Sequence, residues 1–268
     1  MGLSGATLQG VFRNPLADPY LLGLSAGATV GVAASLVLGI GLAQANLVLP
    51  LLAFAGALGT GAVIWLAARS TSSSVETLLL TGVAISAIMS AVLSMLLLYN
   101  PFGNLEVSYW LLGGLFGATW GRDGLVFGGL LAGGTALAVF GRPLNLIQLG
   151  AEVAQSLGVD GRAVRQRLLV LAAFVTALGV SFAGVIGFVG LVAPHVARRL
   201  VGTDYRKVLP AAALVGAAFL LAAHDLSQVV VPRAVLPVGI FTSIAGAPFF
   251  LYLLYRQRRM ATMGAGVR

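Results

Sequence analysis

The chain has 268 residues, of which 59% are hydrophobic and 9% are charged, and its formal net charge is +8. A soluble domain carries about 25% charged residues, so this composition excludes a soluble globule, which would lack the polar surface to cover itself. The positive charge does not indicate a nucleic-acid partner, because the basic residues are scattered between apolar segments instead of forming one patch with aromatic side chains. Cysteine is absent, which excludes disulfides, thiol chemistry and Cys-based metal sites, and we predict no metal site.

The chain begins with a short apolar segment that is followed by a proline-rich break. Residues 1–12 read MGLSGATLQGVF, and at about 1.5 Å per residue they span about 18 Å, too little to cross a hydrocarbon core of about 30 Å. We expect this segment to be the inner half of a membrane helix whose outer half is missing. It lacks the positive region and the export site of a cleavable signal peptide. The break RNPLADP occupies 13–19.

The remaining apolar segments predict membrane-spanning helices. Runs of 18 or more nearly uncharged residues are typical of such helices, and the 36 glycines suit close packing between them. The predicted spans are 21–41, 48–68, 77–99, 123–141, 168–184, 187–202, 208–230 and 239–255. The sequence therefore predicts one domain over 1–268, an all-α polytopic membrane helix bundle with eight full spans and a partial N-terminal one.

The basic residues orient these spans through the positive-inside rule. If the break at 13–19 is cytoplasmic, alternation of the spans leaves only Arg122 and Arg233 outside among the 16 Lys and Arg residues. This bias also supports the span count, because a missed helix would reverse the side assigned to every basic residue that follows it. We therefore predict a multi-pass protein of the inner or plasma membrane, with a cytoplasmic C-terminus and a cytoplasmic loop at 142–167.

The stretch GLSAG at 23–27 matches the G-x-S-x-G pattern of serine hydrolases. That nucleophile elbow needs a strand before it and a helix after it, whereas here apolar helix-like sequence follows a proline-rich loop. Gly23, Gly27 and Gly31 fit better as a ladder of small residues on a helix-packing face. The same interpretation applies to a second ladder of Gly113, Gly117 and Gly121.

Few polar groups lie within the predicted spans. His195 follows Pro194, and between a proton relay and a structural histidine bonded to backbone that the proline frees, we favour the structural role. Asp225 lies near the outer end of its span and close to Arg233, which predicts an ion pair or a docking site at the outer face. The scarcity of carboxylates at mid-membrane argues against a stand-alone secondary transporter, which together with a channel remains the alternative function.

Two further segments lie between spans. The stretch 104–122 contains Tyr109, Trp110 and Trp120, which predict an interfacial helix at the headgroup level, with substrate contact as the second interpretation. Ser4-Gly5 precedes Pro15 by the same spacing at which Ala183-Gly184 precedes Pro194, a faint echo that fits the inverted repeats of transporters.

Residues 144–167, LNLIQLGAEVAQSLGVDGRAVRQR, look like soluble helix-forming sequence. Gly150 and Gly158 bracket AEVAQSL, which can make two helical turns, and GVDGRAVRQR follows as a second short amphipathic element. An ordinary cytoplasmic loop with an interfacial helix is one interpretation. The stretch is longer than a connection between two spans requires, so we favour a short pair of helices that docks into a soluble partner.

Several stretches resemble, in order, the permease subunits of ABC importers for iron-siderophore, haem and cobalamin. They are RNPLADPYLLGLSAG (13–27), YWLLGGL (109–115), LNLIQLGAEVAQSLGVD (144–160), GVIGFVGLVAPHVARRLVGTDYRKVLP (184–210) and LPVGIFTSIAGAPFFLYLL (236–254). The resemblance covers essentially the whole chain. It implies a ten-span importer permease fold in which spans two to five and seven to ten are inverted repeats. This chain would then hold spans three to ten and the end of span two.

The resemblance also implies function and partners. Such a permease translocates a metal chelate, lies in membrane lipid, and pairs with a second copy or a close paralogue, with the pathway between the two subunits. Cytoplasmic ATP-binding subunits carry the ATP and Mg, and an external substrate-binding protein delivers the cargo. The permease itself is then no enzyme and binds no cofactor, which agrees with the absence of a G-x-x-x-x-G-K-[ST] motif.

Three sets of site residues follow from the resemblance. The ATPase-coupling residues are Gly150, Ala151, Glu152, Ala154, Gln155, Ser156, Leu157 and Gly158. The cytoplasmic gate residues are Asn14, Leu16 and Ser74. At the outer face this sequence departs from the family: Val235 stands where a Glu is usual and no Arg follows Asp225 by four, so Arg233 is the expected substitute. The family's first span, and the external arginines before its second that help dock the binding protein, have no counterpart here.

Overall fold

The computed structural model describes residues 1–39, 47–70, 75–99, 104–115, 119–231 and 236–265. These residues form helices joined by short connections, and no strand occurs among them. In chain order the α-helices are α1 (Gly2–Phe12), α2 (Leu24–Val37), α3 (Val48–Ser70), α4 (Val75–Tyr99), α5 (Asn104–Leu111), α6 (Trp120–Val139), α7 (Gly141–Gln148), α8 (Ala151–Ser156), α9 (Gly161–Ala183), α10 (Val189–Val201), α11 (Tyr205–Val229) and α12 (Val238–Ala265). A short 3-10 helix, Pro19–Leu22, precedes α2.

A helix lies in each range that the sequence predicts as a span, but the helices differ in length. Within the described residues, five are long and apolar enough to cross a membrane, namely α3, α4, α9, α11 and α12. Helices α6 and α7 meet the same criteria together, with a bend of 43° between them. Helices α2 and α10 have 14 and 13 residues, a rise of about 20 Å. The described residues therefore form an all-helical membrane bundle with five or six apolar spans.

Helix α1 lies at the centre of the bundle and all of its residues are buried. It packs against α9, α10 and α11. Glycines bring the backbones together: a Cβ atom at Gly5 would lie 2.0 Å from the carbonyl oxygen of Gly190, and one at Gly2 would lie 2.3 Å from that of Ala212. Small residues thus let three helices surround an apolar helix at close range, as is common in membrane proteins.

The first predicted glycine ladder is confirmed in part and the second is wrong. A Cβ at Gly27 would lie 1.9 Å from Thr60 Oγ1, and one at Gly31 would lie 2.1 Å from the carbonyl oxygen of Leu52, so both glycines pack α2 against α3. Gly23 instead ends the 3-10 helix with φ +66°. Gly113 likewise has φ +66°, in a turn, whereas Gly121 faces open space and Gly117 lies outside the described residues.

The two equally spaced dipeptide–proline pairs of the sequence, Ser4-Gly5 with Pro15 and Ala183-Gly184 with Pro194, differ in local structure. Gly5 lies in the middle of α1, whereas Gly184 caps the C-terminus of α9. Pro15 lies in the connection after α1, whereas Pro194 lies inside α10. The dipeptides are therefore not equivalent as local structures, because a spacing in the sequence does not record where a helix ends.

Candidate functional site

One end of the bundle combines the C-termini of α1 and α10, the N-termini of α9 and α11, and the two short helices α7 and α8. Helix α7 packs against α1, α9 and α11, and α8 packs against α7 and α9. We call this the arginine-rich end. The basic residues described there are Arg13, Arg142, Arg162, Arg165, Arg167, Arg198, Arg199, Arg206 and Lys207.

Helix α8 contains most of the predicted coupling residues, and two glycines define its ends. Gly150 has φ +123° and Gly158 has φ +78°, conformations that favour glycine. The N–H of Gly158 donates to the carbonyl of Gln155 at 3.0 Å, which closes the last turn. These glycines separate α8 from α7 and α9, so a short helix forms where the sequence predicts one.

The side chains of this region divide into buried and exposed sets. Ala154 is fully buried, which anchors α8, whereas Glu152, Gln155 and Ser156 are exposed. The exposed apolar side chains are Leu149 (64% exposed), Val153 (43%) and Leu157 (57%), which we call the docking patch. Three apolar side chains are thus exposed near the Glu152 carboxylate, on the segment between α7 and α9.

The second short amphipathic element expected after α8 is not a separate helix. Asp160 Oδ1 accepts hydrogen bonds from the N–H groups of Arg162 and Ala163 at 2.9 and 3.1 Å, so Asp160 caps α9, which begins at Gly161. The predicted span began at residue 168 because three arginines in the first turns lower the local hydropathy. Helix α7, before α8, is instead the other member of the helix pair.

Two of the three predicted gate residues, Asn14 and Leu16, are described, and they lie next to this region. Asn14 follows the end of α1, and its N–H donates to the carbonyl of Gln9 at 3.1 Å. Its Oδ1 accepts from the N–H of Leu16 at 2.9 Å, and both side chains are half-buried. Ser74 lies outside the described residues. Asn14 and Leu16 therefore form a compact turn at the arginine-rich end.

Of the other predicted groups, Asp225 lies at the opposite end of the bundle, whereas His195 lies within α10, about one turn before Arg198 and Arg199. Asp225 is exposed near the end of α11, whereas Arg233 lies outside the described residues. His224 Nε2 lies 2.7 Å from Gln228 Nε2, within one turn of α11. In α10, the His195 ring contacts that of Phe249 edge to face, with 5.5 Å between centroids. His195 therefore packs against an aromatic ring of α12.

The predicted interfacial helix corresponds to α5, which is partly integrated into the bundle. Tyr109 is exposed and Trp110 is half-buried, while Trp120 is exposed at the start of α6. The N–H of Gly114 donates to the carbonyl of Ala183 at 2.8 Å. The segment after α5 is thus tied to the end of α9.

Sequence reasoning missed a set of polar side chains that join the short helices to the core. Arg198 donates through Nη2 to Oε1 of Gln9, and Arg13 donates through Nη2 to the carbonyl of Ile147. Asn145 and Gln148, on α7, bond to α11 and α1. Gln9 is the signal in the sequence for these bonds: it is the single amide in the largely apolar helix α1, and a buried amide needs a hydrogen-bond partner. The described residues contain no group of three His, Asp or Glu side chains that could hold a metal ion.

The described residues thus form an all-helical bundle with several helices of membrane-spanning length, the architecture of a polytopic membrane protein. Residues 1–256 match the model of the FecCD transport family. The chain is 42% identical over 268 residues to the cobalamin import system permease protein of Halobacterium salinarum, covering 98% of this chain and 70% of that protein. It is 41% identical over 268 residues to the hemin transport system permease protein of Yersinia pestis, covering 96% and 78%.

A solved structure agrees with these sequence relatives. A metal-chelate type ABC transporter in an inward-facing conformation matches with a TM-score of 0.87 and 30% identity, covering 95% of this chain and 81% of that chain. The chain belongs to the FecCD family of ABC importer permeases. It is accordingly a multi-pass membrane permease subunit, not a catalytic one.

Proposed function

We propose that this chain carries a metal chelate across the inner or plasma membrane in an ATP-driven importer, and that α8 receives the driving motion from a cytoplasmic ATPase. The observation that carries the proposal is the docking patch, which exposes Val153 and Leu157 between the two glycines and Leu149 immediately before them. Apolar side chains so exposed are stabilised when a partner covers them.

The arginine-rich end is cytoplasmic in this proposal, as the positive-inside rule favours. The C-terminus then lies in the cytoplasm, and α2 and α10 count as short spans, which gives eight full spans and the partial α1. Inverted repeats are supported by packing: α1 lies against α10 and α11, and α9 lies correspondingly against α2 and α3. The chain acts as one membrane domain over residues 1–268.

The coupling residues act as one docking element. Gly150 and Gly158 set the ends of α8, and Ala154 anchors it to the bundle. Glu152 and Leu157 contact the ATPase, one by charge and the other by apolar burial. The exposed side chains of Gln155 and Ser156 complete the surface, and Ala151 belongs to the same coupling set. Closure of the ATP-bound partner then displaces α8 and shifts the population of permease conformations.

Other parts of the chain bind the remaining partners. Only 11% of the apolar stretch Leu80–Tyr99 of α4 is buried inside the bundle, which leaves this helix free to face lipid or a second permease subunit. Asn14, Leu16 and Ser74 form the cytoplasmic gate between the two copies. Asp225 and Arg233 contact the external binding protein at the outer face.

The cargo class follows from two relatives and from the chemistry of the spans. The relatives described above are named for cobalamin and hemin, which are both metal chelates. Charged residues make up 9% of the chain and are concentrated at helix ends, so the spans offer a largely neutral path. Such a path suits a bulky chelate, whose recognition is left to the binding protein.

Substituting Leu157→Asp should abolish co-purification with the ATPase and ATP-driven uptake, because a carboxylate replaces an apolar contact in the docking patch. The matched control is Leu200→Asp at the same end of the bundle, since Leu200 is 69% exposed and Leu157 is 57% exposed. We expect the control to keep both properties. Glu152→Arg should also uncouple ATP hydrolysis from uptake. Intact coupling in both α8 variants would contradict the assignment of the site.

A further inference from the structure

Helix α7 lies between the docking element and the core, and its two amide side chains bond to two different core helices. Gln148 Nε2 donates to the carbonyl oxygen of Gly10, near the end of α1, at 2.7 Å. Asn145 Nδ2 donates to Asp204 Oδ1 at 2.6 Å, and Asn145 Oδ1 accepts from the N–H of Tyr205 at 2.9 Å. Both amides are therefore bonded across elements that lie far apart in the sequence.

The rest of α7 is fitted to the same two helices. Leu144 and Ile147 are buried at 0% and 1% exposure. A Cβ at Gly10 would lie 2.9 Å from both Leu144 methyl carbons and from Cζ of Tyr205, so the leucine fills the space between α1 and α11. Close packing of this kind keeps a helix from sliding over its neighbours.

Asp204, which accepts the hydrogen bond from Asn145 Nδ2, is itself held in place. Asp204 caps α11 and forms a salt bridge of 2.7 Å with Arg206. Hydrogen bonds from Arg206 and from Asn145 hold the pKa of the Asp204 carboxyl below its usual range. The carboxylate therefore stays ionised, and stays an acceptor, at neutral and mildly acidic pH.

Helix α8 contacts the bundle through α9 and through α7, and a displacement passed on by α7 reaches α1 and α11 only if α7 moves as a rigid body. Leu149 and Gly150 link α7 to α8, and no atom lies within 4 Å of a Cβ built at Gly150. The N–H groups of Leu149 and Gly150 donate to the carbonyls of Leu146 and Ile147 at 3.1 and 3.2 Å, which joins this link to the end of α7. The side-chain bonds of α7 then determine which core helices follow a displacement of α8.

We propose that Asn145 and Gln148 are positioning residues that lock α7 to α11 and α1, so that displacement of α8 by the ATPase moves these two core helices. The inference rests on the proposed function, in which α8 receives the ATPase. It adds that the two amides act after docking, in the transmission of the motion.

Gln148→Glu tests this directly, because the carboxylate keeps the size of the side chain but cannot donate to the Gly10 carbonyl. Gln228→Glu is the matched control, since this amide lies at the other end of α11 and its partner His224 can donate to a carboxylate. The permease is reconstituted with its ATPase and an external binding protein, and association, ATP hydrolysis and chelate uptake are measured. We expect unchanged association and hydrolysis, but uptake per ATP lower by about fivefold, the factor that loss of one typical hydrogen bond gives.

The outcomes separate this inference from the proposed function. Unchanged uptake per ATP in Gln148→Glu would overturn the inference while the Leu157→Asp result could still support docking by α8. Loss of ATPase association would overturn it as well, because the amides would then serve docking and not transmission.

A double-mutant cycle provides a second test that holds if Gln148→Glu fails to fold. Asn145→Ala and Asp204→Ala each remove the shared bond together with bonds of their own, so uptake per ATP in the double variant should fall by less than the two single losses combined. Additive losses in the double variant would contradict a lock formed by this pair.

Discussion

Gly5→Ala is expected to disrupt the packing of α1 and to lower the free energy of unfolding by about 3 kcal/mol or more, the upper range for overpacking a core. The added Cβ would lie 2.0 Å from the carbonyl oxygen of Gly190 and 2.6 Å from its Cα. Both are backbone atoms of α10, which cannot rotate away as a side chain can. Helix α1 must therefore move off α10, and it loses contacts along its whole buried length.

The control for this prediction is Gly128→Ala in α6. No atom lies within 4 Å of a Cβ built at Gly128, and alanine is favoured over glycine inside a helix by about 1 kcal/mol. Thermal unfolding of the purified permease should show a large loss for Gly5→Ala and no loss for Gly128→Ala. Equal stability of the two variants would contradict the central position of α1.

Gln9→Leu should destabilise the bundle by about 2 kcal/mol, the range for hydrogen bonds to charged groups. Gln9 is 2% exposed, and its Oε1 accepts from the guanidinium of Arg198. Its Nε2 donates to the carbonyl of Gly190 at 3.4 Å. Leucine preserves the approximate volume but leaves a partly buried cation without this acceptor, which is more costly than removing both groups.

Adding Arg198→Met to Gln9→Leu should reverse part of the loss of stability. In the Gln9→Leu background, Arg198→Met removes the cation and restores an apolar contact between α1 and α10. We expect the double variant to be more stable than Gln9→Leu in chemical or thermal unfolding. A double variant that is less stable than Gln9→Leu would show that the arginine is stabilised by other groups.

The helices themselves could be predicted from the sequence because apolar runs of sufficient length have few alternatives in a membrane. Their ends were less predictable. Helix α9 begins at Gly161, where Asp160 caps it, although the apolar run begins at residue 168. Hydropathy records where a helix enters lipid, whereas a cap records where its hydrogen bonds begin, so the capping aspartate was the better signal.

Glycine patterns were informative only where a helix was already established. Gly27 and Gly31 pack α2 against α3 as predicted, because their spacing places both on one face of a helix. Gly113, Gly117 and Gly121 have the same four-residue spacing in the sequence, but Gly113 adopts φ +66° in a turn. Spacing alone does not distinguish a packing face from a backbone position that requires glycine.

The candidate site could be located but not assembled from the sequence. The length and polarity of 144–167 predicted a docking element, and α8 forms between Gly150 and Gly158. The bonds that join this region to the core connect residues more than 50 positions apart, as for Asn145 and Asp204. A single sequence carries no record of such proximity, so the role of α7 emerged only from the structure.

The most direct test of the account is chelate uptake by the reconstituted permease with and without its ATPase. Proteoliposomes contain the permease, the external binding protein and a metal chelate, with the ATPase and ATP present, the ATPase present without ATP, or the ATPase omitted. An importer permease predicts uptake only when the ATPase and ATP are both present. Uptake that persists without the ATPase would contradict the account and indicate a secondary transporter or a channel.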